Sequence, residues 1–363
     1  MTDYLLLRTE RLSAAIKAAG ADAFIFLNDE DSNWESLFYM SGFRGTAGAL
    51  AVFATGEAEL ILDPRYEAQG RAQSPHSVLP QKKSLTDELC DRIAAHGAVN
   101  VLCEAEKTCH QHWRALEAAG CLADGGELVK KLRRKKDQRE IEHIKTAAHI
   151  GASAFLETLN FVRPGMKEKD FEALLNYKIN TAGGETGFDM IVASGERSVM
   201  PHGRASEKPF AAGEWVTVDF GARYQGYFCD ITRNFSLGSS ASEAQEMHEL
   251  IHTAHVEAAA TLAPGAVGSE VHNIAAGIFE KAGKKEYFTH GTGHGFGLEI
   301  HEAPYLSLKK SSVLAPGDIV TVEPGLYIPG FGGMRIEDDY LITENGSERL
   351  TDELNQSFYS IPI

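Results

Sequence analysis

Tyr287 to Glu302 reads Y-F-T-H-G-T-G-H-G-F-G-L-E-I-H-E. His290, His294 and His301 stand there among four glycines, with no lysine or arginine between them. Glycine lets a backbone pass close to a ligand or adopt angles that other residues avoid. Imidazoles ligate metals and carry protons near neutral pH. Taken alone, the stretch reads equally well as a glycine-rich loop whose histidines are satisfied by hydrogen bonds. It also closes an internal repeat. Phe288 follows Phe188 by 100 residues, Ala282-Gly283 follows Ala182-Gly183, and Pro264-Gly265 follows Pro164-Gly165 by the same offset. In each copy a helix ending at Pro-Gly, a second helix ending at Ala-Gly and strand-like sequence are expected. That predicts two similar α/β halves with functional groups gathered in the cleft between them.

Acids flank the stretch on both sides. Upstream, Trp215 to Phe235 reads W-V-T-V-D-F-G-A-R-Y-Q-G-Y-F-C-D-I-T-R-N-F, which alternates as two strands. A turn centred on Tyr224-Gln225, with Gly226 as a bulge, sets Asp219 directly opposite Asp230 on one face. Two such carboxylates repel and raise a pKa. A divalent cation removes that cost, since hard ions take oxygen ligands; Arg223 or Arg233 is the alternative neutraliser. Downstream, Glu323 ends the strand-like D-I-V-T-V-E-P-G from Asp318, and Glu337 interrupts M-R-I-E-D-D-Y-L-I-T from Met334. Among β-branched neighbours an unpaired charge is costly. Four carboxylates and one histidine suffice for a two-metal site with open positions.

Further out, Leu122–Lys136 combines the turn Asp124-Gly125-Gly126 with a run of lysines and arginines. The expected organisation is therefore an N-terminal α/β domain over residues 1–124, a charged linker over 125–136 and a catalytic domain over 137–363. In the first domain, helices are expected at Tyr4–Gly20, Trp34–Met40, after Asp63-Pro64, at Ser84–His96 and at Cys109–Ala119. Strands are expected at Ala23–Leu27, Leu50–Ala54, Glu59–Leu62 and Asn100–Cys103. No phosphate-cradling G-x-G-x-x-G or P-loop lysine accompanies them. The chain of 363 residues carries 51 acidic against 35 basic groups, a net charge of -16, which argues against a nucleic-acid partner. No signal peptide and no apolar run of membrane-spanning length are read from it. Five cysteines without a C-x-x-C pair suit a reducing cytoplasm.

The ordered motifs D-F-G-A-x-x-x-G-Y-x-x-D-x-T-R, H-G-x-G-H-G-x-G-L-x-x-H-E, E-P-G-L-Y and R-I-E-D resemble those of the pita-bread metallopeptidases. Within that group the chain is most similar to the Xaa-Pro aminopeptidase and prolidase branch. The likeness is strong over the second half and weaker over the first, through Tyr39-Met40-Ser41-Gly42-Phe43 and Asp63-Pro64-Arg65-Tyr66. It implies a pita-bread (creatinase/aminopeptidase) fold with pseudo-twofold α/β halves behind a smaller creatinase-like α/β domain. It further implies two divalent ions per chain, manganese foremost among manganese, cobalt, zinc and iron. The ligands so implied are Asp219, Asp230, His294, Glu323 and Glu337, with Asp230 and Glu337 bridging. A bridging water would be the nucleophile, Glu323 would shuttle its proton, and His202 and His301 would steady the substrate and oxyanion. His290, Tyr327 and Arg335 match positions that line the pocket or support the ligands.

The implied activity is removal of the N-terminal residue from Xaa-Pro peptides, with Xaa-Pro dipeptide cleavage second. The implied assembly is a homodimer that takes a small peptide. Two positions depart from the family pattern: Arg197 stands where asparagine is usual, and Cys229 replaces the usual serine beside Asp230, which would make the site sensitive to oxidants. A metal-free creatinase-like amidine hydrolase and a non-catalytic binding relative are the competing readings. Both typically lack ligands that are complete here.

Overall fold

The computed structural model describes residues 3–118 and 120–363. They form two compact units, one running to Arg133 and the other spanning Arg134–Ile363.

The first unit is built on a six-stranded sheet in the order Ser77–Pro80, Ala58–Leu62, Gly48–Phe53, Ala23–Asn28, Asn100–Cys103, Cys121–Asp124. The two central strands, Ala23–Asn28 and Gly48–Phe53, are buried at every position, as strands covered on both faces must be. Five of the unit's helices, Asp3–Ala18, Trp34–Ser41, Glu67–Gln73, Leu85–Ala95 and His110–Glu117, fall where the apolar period and caps put them. The Ser84 hydroxyl, for example, accepts the Asp87 N–H at 3.1 Å and starts one of them. The expected Ala119 lies outside the described residues. Three elements differ from expectation. Ser77–Pro80 and Cys121–Asp124 are the two edge strands, each paired on one side only with a strand of the sheet it joins. The stretch expected as a charged linker holds the helix Gly126–Arg134, whose Val129 is buried beneath the surrounding charges.

In the second unit the repeat is visible element by element. Helices Gln138–Leu159 and Glu168–Thr181 precede strands Ile191–Ser194, Trp215–Phe220 and Ile231–Leu237. Helices Ser242–Ala259 and Gly268–Lys281 precede strands Gly293–Gly295, Ile319–Val322 and Asp338–Ile342. Within each half the three strands are neighbours in the same order, all antiparallel. The first helix of each half stops short of Pro-Gly, which instead makes the following turn. There Gly165 and Gly265 sit at φ 85° and 88°, and their N–H groups donate to Phe210 O and Leu314 O. Each half buries its own apolar core, the first around Phe155, Phe171, Phe220 and Phe235, the second around Ile251, Phe279, Val320 and Ile336. A backbone bridge between Thr232 and Glu337 joins the two sheets. No helix among the described residues is long and apolar enough to cross a membrane.

The hairpin register is shifted from expectation. Tyr224 pairs with Tyr227, so Gln225 (φ 51°) and Gly226 (φ 89°) form a two-residue turn. Positive φ at both positions suits the twist of a tight hairpin. The shift carries through the ladder: Asp219 pairs with Thr232 instead of Asp230. A displacement of two residues preserves side-chain parity, so both aspartates keep the same face as diagonal neighbours.

Candidate active site

The strand ends of the two halves converge on a cleft of about 680 Å³. Asp219 lies within Trp215–Phe220, Asp230 just before Ile231–Leu237 and His294 inside Gly293–Gly295. Glu323 directly follows Ile319–Val322, and Glu337 directly precedes Asp338–Ile342. His202 arrives on the loop after the short helical turn Gly195–Val199, and His301 on the turn before Glu302–Leu306. Nine of the ten residues singled out from the sequence line this cleft. Tyr327 does not; it lies behind His290 and Arg335, bonded to both.

The glycines of the histidine stretch act through close approach, not through unusual angles, since Gly291, Gly293, Gly295 and Gly297 all avoid positive φ. A Cβ on Gly293 would lie 1.9 Å from Thr321 O, so only glycine lets this strand press against its neighbour. What could have been a loop is therefore a packed strand that fixes His294.

Hydrogen bonds settle the imidazole roles. His294 Nδ1 lies 3.1 Å from Gly295 O; a carbonyl only accepts, so Nδ1 carries the proton and Nε2 the lone pair. That Nε2 stands 3.7 Å from Asp230 and 3.6 Å from Glu323. His290 donates through Nδ1 to Gly291 O at 2.8 Å, so its Nε2 accepts from the Tyr327 hydroxyl at 3.0 Å. Tyr327 in turn accepts from Arg335 Nη1 at 2.6 Å. Burial pushes His290 and His294 down to about 3, and it pushes the Tyr327 hydroxyl up to about 12. Both rings are thus neutral and Tyr327 keeps its proton. Burial also lowers His301, against the pull of Asp219.

The carboxylates are strained in the opposite sense. Burial, then repulsion from Glu337 and Asp219, drives Asp230 well above the usual carboxylate range. Glu323 is raised well above it by burial and Glu337. Glu337 is pushed up to about 7 by burial and Asp219. Asp219 is raised by burial, with Arg335 opposing. The cation against Asp219 is therefore Arg335; Arg223 pairs with Glu185 and Arg233 with Asp338.

This crowding fits divalent cations. One oxygen each from Asp230 and Glu337 and one nitrogen of His294 lie within 4.8 Å of one another. Asp219 Oδ1 is buried without a hydrogen-bond partner, an acceptor lacking its counterpart. Two residues to which the sequence reading gave no role support this set. Thr232 donates its hydroxyl to Glu337 at 2.7 Å and accepts from Arg335 Nε at 3.0 Å. Asp339 accepts the Asp230 N–H at 3.1 Å. Their signals were position alone, Thr232 two residues along the strand from Asp230 and Asp339 two beyond Glu337. The oxidant sensitivity expected of Cys229 is corrected: its thiol is completely buried, bonded to Ala147 O, and burial raises its pKa, so little thiolate forms.

The family model described as Metallopeptidase family M24 matches residues 142–344, and that of the Creatinase/Prolidase N-terminal domain matches residues 8–135. The chain is 36% identical over 350 residues to the uncharacterized peptidase YqhT of Bacillus subtilis, covering 95% of this chain and 98% of that one. It is 34% identical over 317 residues to a Xaa-Pro dipeptidase of Pyrococcus horikoshii, covering 87% and 90%. Among solved structures it resembles the X-Pro aminopeptidase of Thermotoga maritima with a TM-score of 0.91 and 36% identity, covering 98% of this chain and all of the other. With these likenesses running through both units, the chain belongs to metallopeptidase family M24, a membership that implies divalent metal ions, and a creatinase/prolidase N-terminal domain precedes its peptidase domain in the sequence.

Proposed function

We propose that this chain is an Xaa-Pro aminopeptidase, a metal-dependent exopeptidase that hydrolyses the bond between an N-terminal residue and proline. The observation that carries the reading is the crowding of four carboxylates and one neutral imidazole around a cleft where Asp219 Oδ1 lacks a partner. Asp219, Asp230, His294, Glu323 and Glu337 would hold two divalent cations, manganese first, with cobalt, zinc or iron also suited to this donor set. Bound there, the cations would acidify a water and polarise the scissile carbonyl. Glu323 would carry a proton to the departing proline nitrogen. His202 and His301 would hold the carbonyl oxygens. An Xaa-Pro bond has no amide N–H to recognise, so donors aimed at carbonyls and the shape of the cleft must do that work.

The preference for proline is drawn from relatives named Xaa-Pro dipeptidase and X-Pro aminopeptidase. The choice of longer peptides is supported by Arg335, whose guanidinium is engaged by Asp219, Tyr327 and Thr232 and so is not offered to a dipeptide carboxylate. Dipeptide cleavage is the second reading, favoured by Arg204. That residue lines the cleft and is 77% exposed, in an ion pair with Asp189 at 2.6 Å that a substrate carboxylate could open. A homodimer working in the cytoplasm completes the proposal, and sedimentation of the purified protein tests the dimer. For the activity, Ala-Pro and Ala-Pro-Ala-Ala are offered to protein loaded with manganese, cobalt, zinc or iron. Faster turnover of the tetrapeptide is expected. Turnover of the dipeptide alone reverses the two readings, and cleavage of neither removes both.

A further inference from the structure

Arg197 donates through Nη1 to the carboxylate of Glu168 and through Nη2 to Arg204 O at 3.0 Å. Glu168 is completely buried. Its Oε1 accepts the N–H and hydroxyl of Ser194 at 2.9 and 2.8 Å, and its Oε2 accepts the N–H and hydroxyl of Ser206 at 3.0 and 2.7 Å. Ser194 and Ser206 are the two ends of the segment that carries His202, so one carboxylate closes that loop. Arg197 lies within it and spans from the closing carboxylate to the residue two beyond His202. The Met200 N–H donates to Arg197 O at 3.1 Å and the Gly203 N–H to Met200 O at 2.9 Å, so the turn presenting His202 follows directly, through main-chain bonds, on the residue whose side chain is held by Glu168. On the opposite flank, the Ser198 hydroxyl accepts from Trp215 Nε1 at 3.1 Å and from the Gly333 N–H at 2.8 Å.

We propose that Arg197 and Glu168 are positioning residues that clamp the loop of His202 and hold that imidazole at the cleft. This rests on the reading of His202 as a group that steadies the peptide carbonyl. The clamp needs a forked cation, because Arg197 bonds a carboxylate and a carbonyl in two directions at once. Lysine can answer the charge of Glu168 but cannot reproduce the fork.

Metal-loaded Arg197→Ala, Arg197→Lys, His202→Ala and both double variants with His202→Ala are assayed on Ala-Pro-Ala-Ala, with thermal unfolding and bound metal measured alongside. Arg197→Ala is expected to lower kcat by roughly 10–100-fold, the effect of a reacting group displaced by about an ångström. KM should stay within about threefold and bound metal should be unchanged. Arg197→Lys should recover part of the loss. Each double variant should be no slower than His202→Ala alone, since a residue that acts through His202 has nothing left to position. Losses that multiply in the double variants, or a wild-type kcat in Arg197→Ala, would overturn the clamp and leave the role of His202 standing. Full activity in His202→Ala would remove the role of His202 and the clamp with it. Should Arg197→Ala fail to fold, the cycle built on Arg197→Lys decides by the same criterion.

Discussion

Asp219 and Asp230 share a face but not a fate. Asp219 bonds Arg335, whereas Asp230 has a backbone N–H bonded to Asp339 and mainly other carboxylates around its own. Glu323 stands between the two situations, 4.0 Å from Arg335 and 3.6 Å from a neutral His294. In the proposed reaction it both ligates and moves a proton. Glu323→Gln should therefore lower kcat by roughly 10²–10⁴-fold, the usual worth of a positioned acid or base, with a much smaller change in KM. A variant that keeps most of its turnover would pass the proton to another group, such as His301. Thr232 acts one step further back. Thr232→Val keeps the shape but removes the hydroxyl between Glu337 and Arg335, so metal affinity should weaken by roughly 10–100-fold. Manganese titration calorimetry measures this, and an unchanged affinity would deny Thr232 its supporting role.

At the scale of elements, the packed strand Gly293–Gly295 carries the most chemistry for its length. Its neighbour Ile319–Val322 comes so close that Gly293→Ala must push a Cβ against the Thr321 carbonyl. Overpacking of this kind costs about 1–3 kcal/mol and should appear as a lower melting temperature together with weaker metal binding, because His294 moves too. Gly277 provides the contrast. It lies inside the helix Gly268–Lys281 at ordinary φ with open space where a Cβ would go. Gly277→Ala should raise stability by about 0.5–1 kcal/mol. If both variants melt alike, close approach is not why this strand is rich in glycine.

For the molecule as a whole, the cleft makes stability depend on metal and pH together. Without cations, folding raises the pKa of Glu337 from 4.5 to about 7, and it also raises Asp230 and Glu323. The folded chain then holds protons that the unfolded chain has already lost, so stability falls as pH rises through that range. The buried histidines act in the opposite sense: His290 and His294 are lowered to about 3 and His248 and His255 to about 4 from 6.5, and their unfolded rings go on losing protons up to about pH 8. Comparing the protein with and without manganese at each pH cancels the histidines remote from the cleft and leaves the carboxylates that the cations engage. Cations must displace the protons that Glu337 and its neighbours hold, so the stability gained from manganese should grow from pH 6.5 to pH 8, by on the order of 1 kcal/mol from Glu337. Thermal unfolding with manganese and with a chelator at the two pH values tests it, since a ligand bound only to the folded state raises stability. A gain from manganese that is no larger at pH 8 than at pH 6.5 would contradict the crowded-carboxylate picture.

Much of this architecture was legible in the chain itself. The offset of 100 residues between Pro-Gly and Ala-Gly pairs announced two halves, because turns that need glycine are local requirements. Apolar spacing and caps located the longer helices for the same reason. The acids and histidines of the cleft were conspicuous because charge inside apolar strands demands a partner. What the chain alone did not reveal depends on residues remote along it. The edge strands Ser77–Pro80 and Cys121–Asp124 are defined by the sheet they join, and Gly126–Arg134 by the apolar side it buries. The two-residue register shift follows from which residues take the turn, a choice the alternation leaves open because it preserves parity. Arg335 meets Asp219 across 116 positions and Thr232 meets Glu337 across 105. Those pairings exist only once the two halves are brought together, whereas the burial of Cys229 and the hold of Arg197 on Glu168 need only the first half folded; in each case hydrogen bonds and desolvation act over a few ångströms, and sequence distance carries no such information.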